Sequence, residues 1–139
     1  MMRGMEAVAP TMENAAVAPR PSVRRRRWLS WALQGVAATA FIAAGGAKLA
    51  GVPPMVEIFS KIGIGQWFRI LTGTLELSGA LLILVPRTAF WGAALLACVM
   101  AGAVVTHLAV IGGNPVPAAV LFAVTASAAA LHRGDALSR

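Results

Sequence analysis

Four long apolar stretches, at residues 28–50, 68–85, 88–111 and 116–131, take up most of this 139-residue chain. Hydrocarbon offers no partner for a backbone N–H or C=O, so a segment that enters it must satisfy those groups within itself, as a helix does. At 1.5 Å per residue the longer stretches cross a core of about 30 Å. The expected fold is therefore all-α: an integral membrane four-helix bundle. Composition agrees, since 58% of the residues are hydrophobic and 12% charged, against about 25% charged in soluble domains. The fourth stretch is short for a span, and extra turns at its end or a thinner membrane would make up the difference.

One domain is expected. Residues 1–27 read as a disordered basic cytoplasmic tail, 28–131 as the membrane domain, and 132–139 as a short cytoplasmic tail. The net charge of +7 invites a nucleic-acid reading, but seven of the twelve basic residues are Arg3, Arg20, Arg24 to Arg27 and Arg87, which precede or flank apolar stretches. They are better explained as a topology signal. The expected partner is the lipid bilayer, with no nucleic acid. Arg20, Arg24 to Arg27, Arg87, Arg133 and Arg139 on one side, against Lys61 and the near-interface Arg69 on the other, put both termini in the cytoplasm. In a bacterial inner membrane the 51–66 loop then faces outward.

That first outer loop has a pattern of its own. Pro53-Pro54 is followed by apolar Met55, Val56, Phe59 and Ile62, with Glu57 and Lys61 four apart. This is the pattern of a short amphipathic helix lying on the membrane surface. Between the spans, packing should use small residues. Gly35, Thr39, Ala43 and Ala47 make one row; Ala93, Ala97 and Ala101 another; Ala119, Ala123 and Ser127 a third. Thr72, Glu76 and Ala80 share a face of the second span, which turns Glu76 inward.

Three stretches carry an ionisable residue, Lys48, Glu76 and His107. Such groups are costly in hydrocarbon and mark functional sites or ion pairs. With Arg69 and Thr72 they fall in the outer half of the bundle, beneath the amphipathic loop. A ligand or proton pocket would have Glu76 neutralised by Lys48, His107 or Arg69, and a carboxylate beside an imidazole can pass a proton to a bound quinone. The alternative is an ion pair that only pins the helices in register. For Lys48 and Arg69, which sit near helix ends, the expectation is that the long side chains snorkel to the interface. Cys98 is the single cysteine, so no dithiol redox pair forms within one chain, and it reads as a packing residue. No metal-ligand cluster, phosphate loop or dinucleotide fingerprint is present.

Gly46-Ala47-Lys48-Leu49, Met55 to Phe59, Gly63, Gly65-Gln66-Trp67-Phe68-Arg69, Thr72-Gly73, Glu76 with Gly79-Ala80, Pro86, Thr106-His107 and Gly112-Gly113 with Pro115 together resemble the DoxX-like family of small bacterial membrane proteins. The resemblance covers residues 35–131. It implies a four-helix inner-membrane protein, in a group whose namesakes are small subunits of a thiosulfate:quinone oxidoreductase. It transfers Lys48, Arg69 and Glu76 as pattern positions and no catalytic motif. The expected function is thus a subunit, not catalytic alone, that supports a quinone-linked oxidoreductase. A small proton-coupled transporter and a purely structural membrane partner are the alternatives.

Overall fold

A computed structural model describes residues 21–137; residues 1–20, where most of the expected tail falls, and residues 138 and 139 lie outside the described residues. The elements are α1 (Pro21–Ala50), α2 (Pro53–Ile62), α3 (Gln66–Leu84), α4 (Ala89–Thr106), a π-helical turn (His107–Ile111) and α5 (Val116–Leu137). There is no strand among the described residues. Proline opens α1 and α2 and occupies the second position of α5, all in first turns where its missing N–H costs nothing. Consequently α1 begins inside the segment expected to be tail, and α5 runs on past Leu131.

Four segments, Arg27–Ala50, Gln66–Leu84, Ala89–Ile111 and Val116–Gly134, are long and apolar enough to cross a membrane. Their outward faces are apolar too: Leu108 is 68% and Trp91 64% exposed. An aqueous surface rarely carries so many large apolar side chains, whereas a lipid-facing one requires them. The chain is an integral membrane protein with a helical-bundle fold.

The helices pack in the ring order α1, α3, α4, α5, with the α1–α5 seam the lightest of the four. Two close crossings set the geometry. Where α1 meets α3, a Cβ on Gly45 would stand 2.9 Å from the Gly73 carbonyl oxygen, and one on Gly73 would stand 3.0 Å from the Lys48 Cβ. Where α3 meets α4, a Cβ on Gly92 would lie 2.6 Å from the Ile83 nitrogen. Backbones this near admit no side chain between them, and dispersion between them replaces the hydrophobic drive that lipid cannot supply. Phe41, Ile83 and Leu96 fill the centre.

The small-residue rows proved a poor guide on two helices. Thr39 and Ala43 are exposed, and α1 instead packs through Ala37, Ala38, Phe41 and Gly45. On α5 the row Ala119, Ala123 and Ser127 is exposed, while Ala118, Thr125 and Ala128 are buried. Alanine-rich helices carry small residues on every face, so their spacing does not select the inner one. On α4 only Ala93 of the expected row is buried, beside Gly92, Leu96 and Met100. On α3 the expected face does point inward, with Gly73, Glu76, Gly79 and Ala80 buried.

Helix α2 forms where the amphipathic pattern of the loop places it, and it lies across one end of the bundle. It packs against α3 and the π-helical turn, with Phe59 buried and in edge contact with Phe68, ring centroids 5.8 Å apart. Its apolar face covers the end of the bundle, and Glu57 and Lys61 point away from it, exposed.

Candidate functional site

The most deeply buried ionisable side chain among the described residues is Glu76, 1% exposed in the middle of α3. An isolated carboxylate there would be strongly disfavoured, and it is held by a partner: Lys48 Nζ donates to both carboxylate oxygens, at 2.8 and 3.1 Å. The glycine crossing makes the pair possible. A Cβ on Gly45 would be 3.3 Å from the Glu76 Cβ, so Glu76 packs level with Gly45, and Lys48, one turn further along α1, packs level with Gly73. The lysine therefore reaches inward along α3 to the carboxylate rather than outward to the interface, as its place near a helix end had led us to expect. This is the only ion pair among the described residues.

Arg69 is committed elsewhere. Its guanidinium donates to the Lys48 carbonyl oxygen and, at 2.7 Å, to Gln66 Oε1. The Gln66 amide in turn donates to the Val56 carbonyl and the Ser60 hydroxyl of α2, each at 3.1 Å. Arg69 thus ties the end of α1 to the start of α3 and, through Gln66, to α2. It forms no contact with Glu76, and it neither snorkels freely nor lines the cavity described next.

Beneath α2 lies a cavity of about 560 Å³ that touches all four spans. Its wall is overwhelmingly apolar, with Phe41, Met55, Phe59 and Leu121 among its surfaces, and its polar groups are few: Lys48, Thr72, Glu76, Thr106 and His107. A concave apolar site of this size with a small set of convergent polar groups is the usual form of a small-molecule site. The Thr72 hydroxyl donates within its own helix, to the Phe68 carbonyl at 3.0 Å, so Thr72 contributes a wall rather than a free donor.

His107 stands where α4 widens into the π-helical turn, a distortion found often at functional positions. Its Nδ1 is 2.8 Å from the Ala103 carbonyl oxygen. A carbonyl only accepts, so Nδ1 carries a proton, and the tautomer this selects has Nε2 as its acceptor. The structure therefore brings Lys48, Glu76, Thr72 and His107 to one cavity, with Lys48 the carboxylate's partner. Glu57 and Lys61 stand outside it on the exposed face of α2, while Phe59 is part of its wall.

Two groups escaped the reading of the sequence. Gln66 enters the sequence reading only within the family-resembling run Gly65 to Arg69, and nothing in its spacing announces that it bridges α2 and Arg69. At the opposite end of the bundle, Gln34, 3% exposed, contacts His132 across the α1–α5 seam, with the Ser30 hydroxyl 3.4 Å from the same ring. A polar residue six positions into an apolar stretch was the available signal for Gln34. No set of three or more potential metal ligands is gathered among the described residues.

A family model described as the DoxX-like family matches residues 32–131. No curated protein and no solved structure matches the chain.

Proposed function

The chain belongs to the DoxX-like family, and from that premise we propose that it is a subunit, not catalytic alone, of a quinone-linked oxidoreductase, with the cavity beneath α2 as its quinone site. The observation that carries this reading is the joining of an ion-paired carboxylate to an otherwise apolar chamber of about 560 Å³. Because Lys48 and Glu76 neutralise one another, the site favours an uncharged headgroup over an anion or a cation. The apolar walls suit a hydrocarbon tail.

A bound quinone would supply the carrying of two electrons and two protons between its carbonyl and hydroxyl forms. The ammonium of Lys48 has three N–H donors, two of them engaged by Glu76, and the third is available to a carbonyl oxygen. His107 Nε2, an acceptor, suits the hydroxyl of the reduced form. Glu76 holds the Lys48 amine oriented between these encounters. Electrons come from the partner enzyme in this reading. We place the protein in a bacterial inner membrane with both termini cytoplasmic, because Arg27, Arg87 and Arg133 lie at the end of the bundle away from α2.

The test is purification in mild detergent from the native membrane, followed by mass spectrometry of every co-purifying protein, lipid and quinone. A quinone and a redox enzyme accompanying the wild-type chain, and less quinone with Glu76→Gln, is the expected result. A clean homo-oligomer with neither companion would overturn it in favour of a proton-coupled transporter, to be assayed by uptake in proteoliposomes.

A further inference from the structure

The cavity has a cover, and the attachments of that cover are unequal. Met55, Ile58, Phe59 and Ile62, one face of α2, form the wall at the end of the bundle. Each end of α2 is joined to the bundle through glycine in the left-handed region, Gly51 at φ +66° before it and Gly63 at φ +78° after it. These are conformations that other residues adopt only under strain, and they give the helix a pivot at either end. Against α1 it packs lightly. Its polar attachment to α3 runs through one side chain, Gln66, whose amide donates to Val56 and Ser60. Arg69, anchored on the Lys48 carbonyl, orients that amide by occupying its oxygen.

We propose that α2 is a hinged lid over the cavity and that Gln66, positioned by Arg69, is the latch that holds it shut. The latch is a positioning residue and touches no ligand. It is built onto the same backbone that carries Lys48, so closure of the lid and the placing of the ion pair are fixed by one guanidinium. The proposal rests on the cavity being the ligand site but not on the ligand being a quinone.

Cys98, the chain's single cysteine, is exposed, so the reporter is Ala118→Cys in a Cys98→Ser background, which places the thiol at a buried position on the cavity wall. The experiment is the rate of labelling at position 118 by a membrane-impermeant maleimide, on the full chain in lipid nanodiscs. Gln66→Ala is expected to raise that rate about tenfold, because loss of two hydrogen bonds of ordinary net strength shifts an open–closed equilibrium by that order. Ser60→Ala, which removes one of the two acceptors, is expected to raise it less. As a control, Cys98→Ser/Ala93→Cys moves the thiol to a fully buried site in the other half of the bundle, where Gln66→Ala should leave labelling unchanged. Equal rates at position 118 with the latch intact and in both variants would overturn the proposal. So would a parallel rise at position 93, which would mean general loosening rather than a lid. Should Gln66→Ala fail to fold, Ser60→Ala with the same two reporters decides. Since no quinone enters the assay, the lid and the quinone reading can fail independently.

Discussion

The two halves of this bundle are made from the same helices and obey different packing rules. Away from α2, α3 and α4 are in backbone contact at Gly92 and Ile83, Leu96 fills the groove at Gly79, and Ala80, Ile83 and Ala93 are fully buried. Toward α2, beside the α1–α3 glycine crossing, the helices part around a chamber, α4 widens into a π-helical turn, and the polar groups of the wall include the Lys48–Glu76 pair and His107. Rigidity in one half is what permits an opening in the other. The Lys48–Glu76 pair stands at the boundary, one turn from the glycine crossing that holds α1 to α3.

The largest expected effect breaks the pair from the side that cannot recover. Lys48→Met leaves the Glu76 carboxyl, with 2% of its side chain exposed, without its partner in the interior, and should lower stability by about 3–5 kcal/mol, read as thermal unfolding in detergent. Gly92→Ala attacks the closed half. With Ile83 backbone in the way, α3 and α4 must separate, at a cost of about 1–3 kcal/mol, and the chamber should keep its ligand affinity. Glu76→Gln sharpens the contrast from the opposite partner: Lys48, 15% exposed, can swing toward the interface, so the loss should be nearer about 1 kcal/mol. Smallest is Gly35→Ala, where a Cβ meets nothing within 4 Å; a change within about 0.5 kcal/mol is expected. If Gly92→Ala and Gly35→Ala proved alike, the distinction between the halves would be lost.

Much of this was legible before the fold was known. Hydropathy alone locates four spans, and the run from Met55 to Ile62 has the three- to four-residue spacing of an amphipathic helix. The placing of Lys48, Glu76 and His107 at related depths follows from their distances to the stretch ends. What periodicity cannot supply is which face of an alanine-rich helix turns inward, because Ala43 and Ala37 are chemically alike and only the bulk of Phe41 and the gap at Gly45 decide. Nor can it supply a side chain's choice among partners. Arg69 had a carboxylate two turns away and instead took a backbone carbonyl and an amide, since the Lys48 carbonyl at the end of α1, which also accepts from the Gly51 N–H, lies within its reach. Gln66 and Gln34 were passed over for the same reason: an uncharged amide is inexpensive enough near an interface to look incidental in sequence.

The central claim is that the ion pair serves a ligand and does more than hold helices together. Replacing both partners at once separates these roles, because a buried pair exchanged for apolar residues of similar size often costs little stability. The direct measurement is equilibrium binding of a short-tailed quinone to the protein in nanodiscs, comparing wild type with Lys48→Met/Glu76→Met. The account expects saturable binding by wild type and at least about tenfold weaker binding by the double variant, with an unfolding temperature close to that of wild type. Equal affinity in the two proteins, or no saturable binding by wild type, would contradict it.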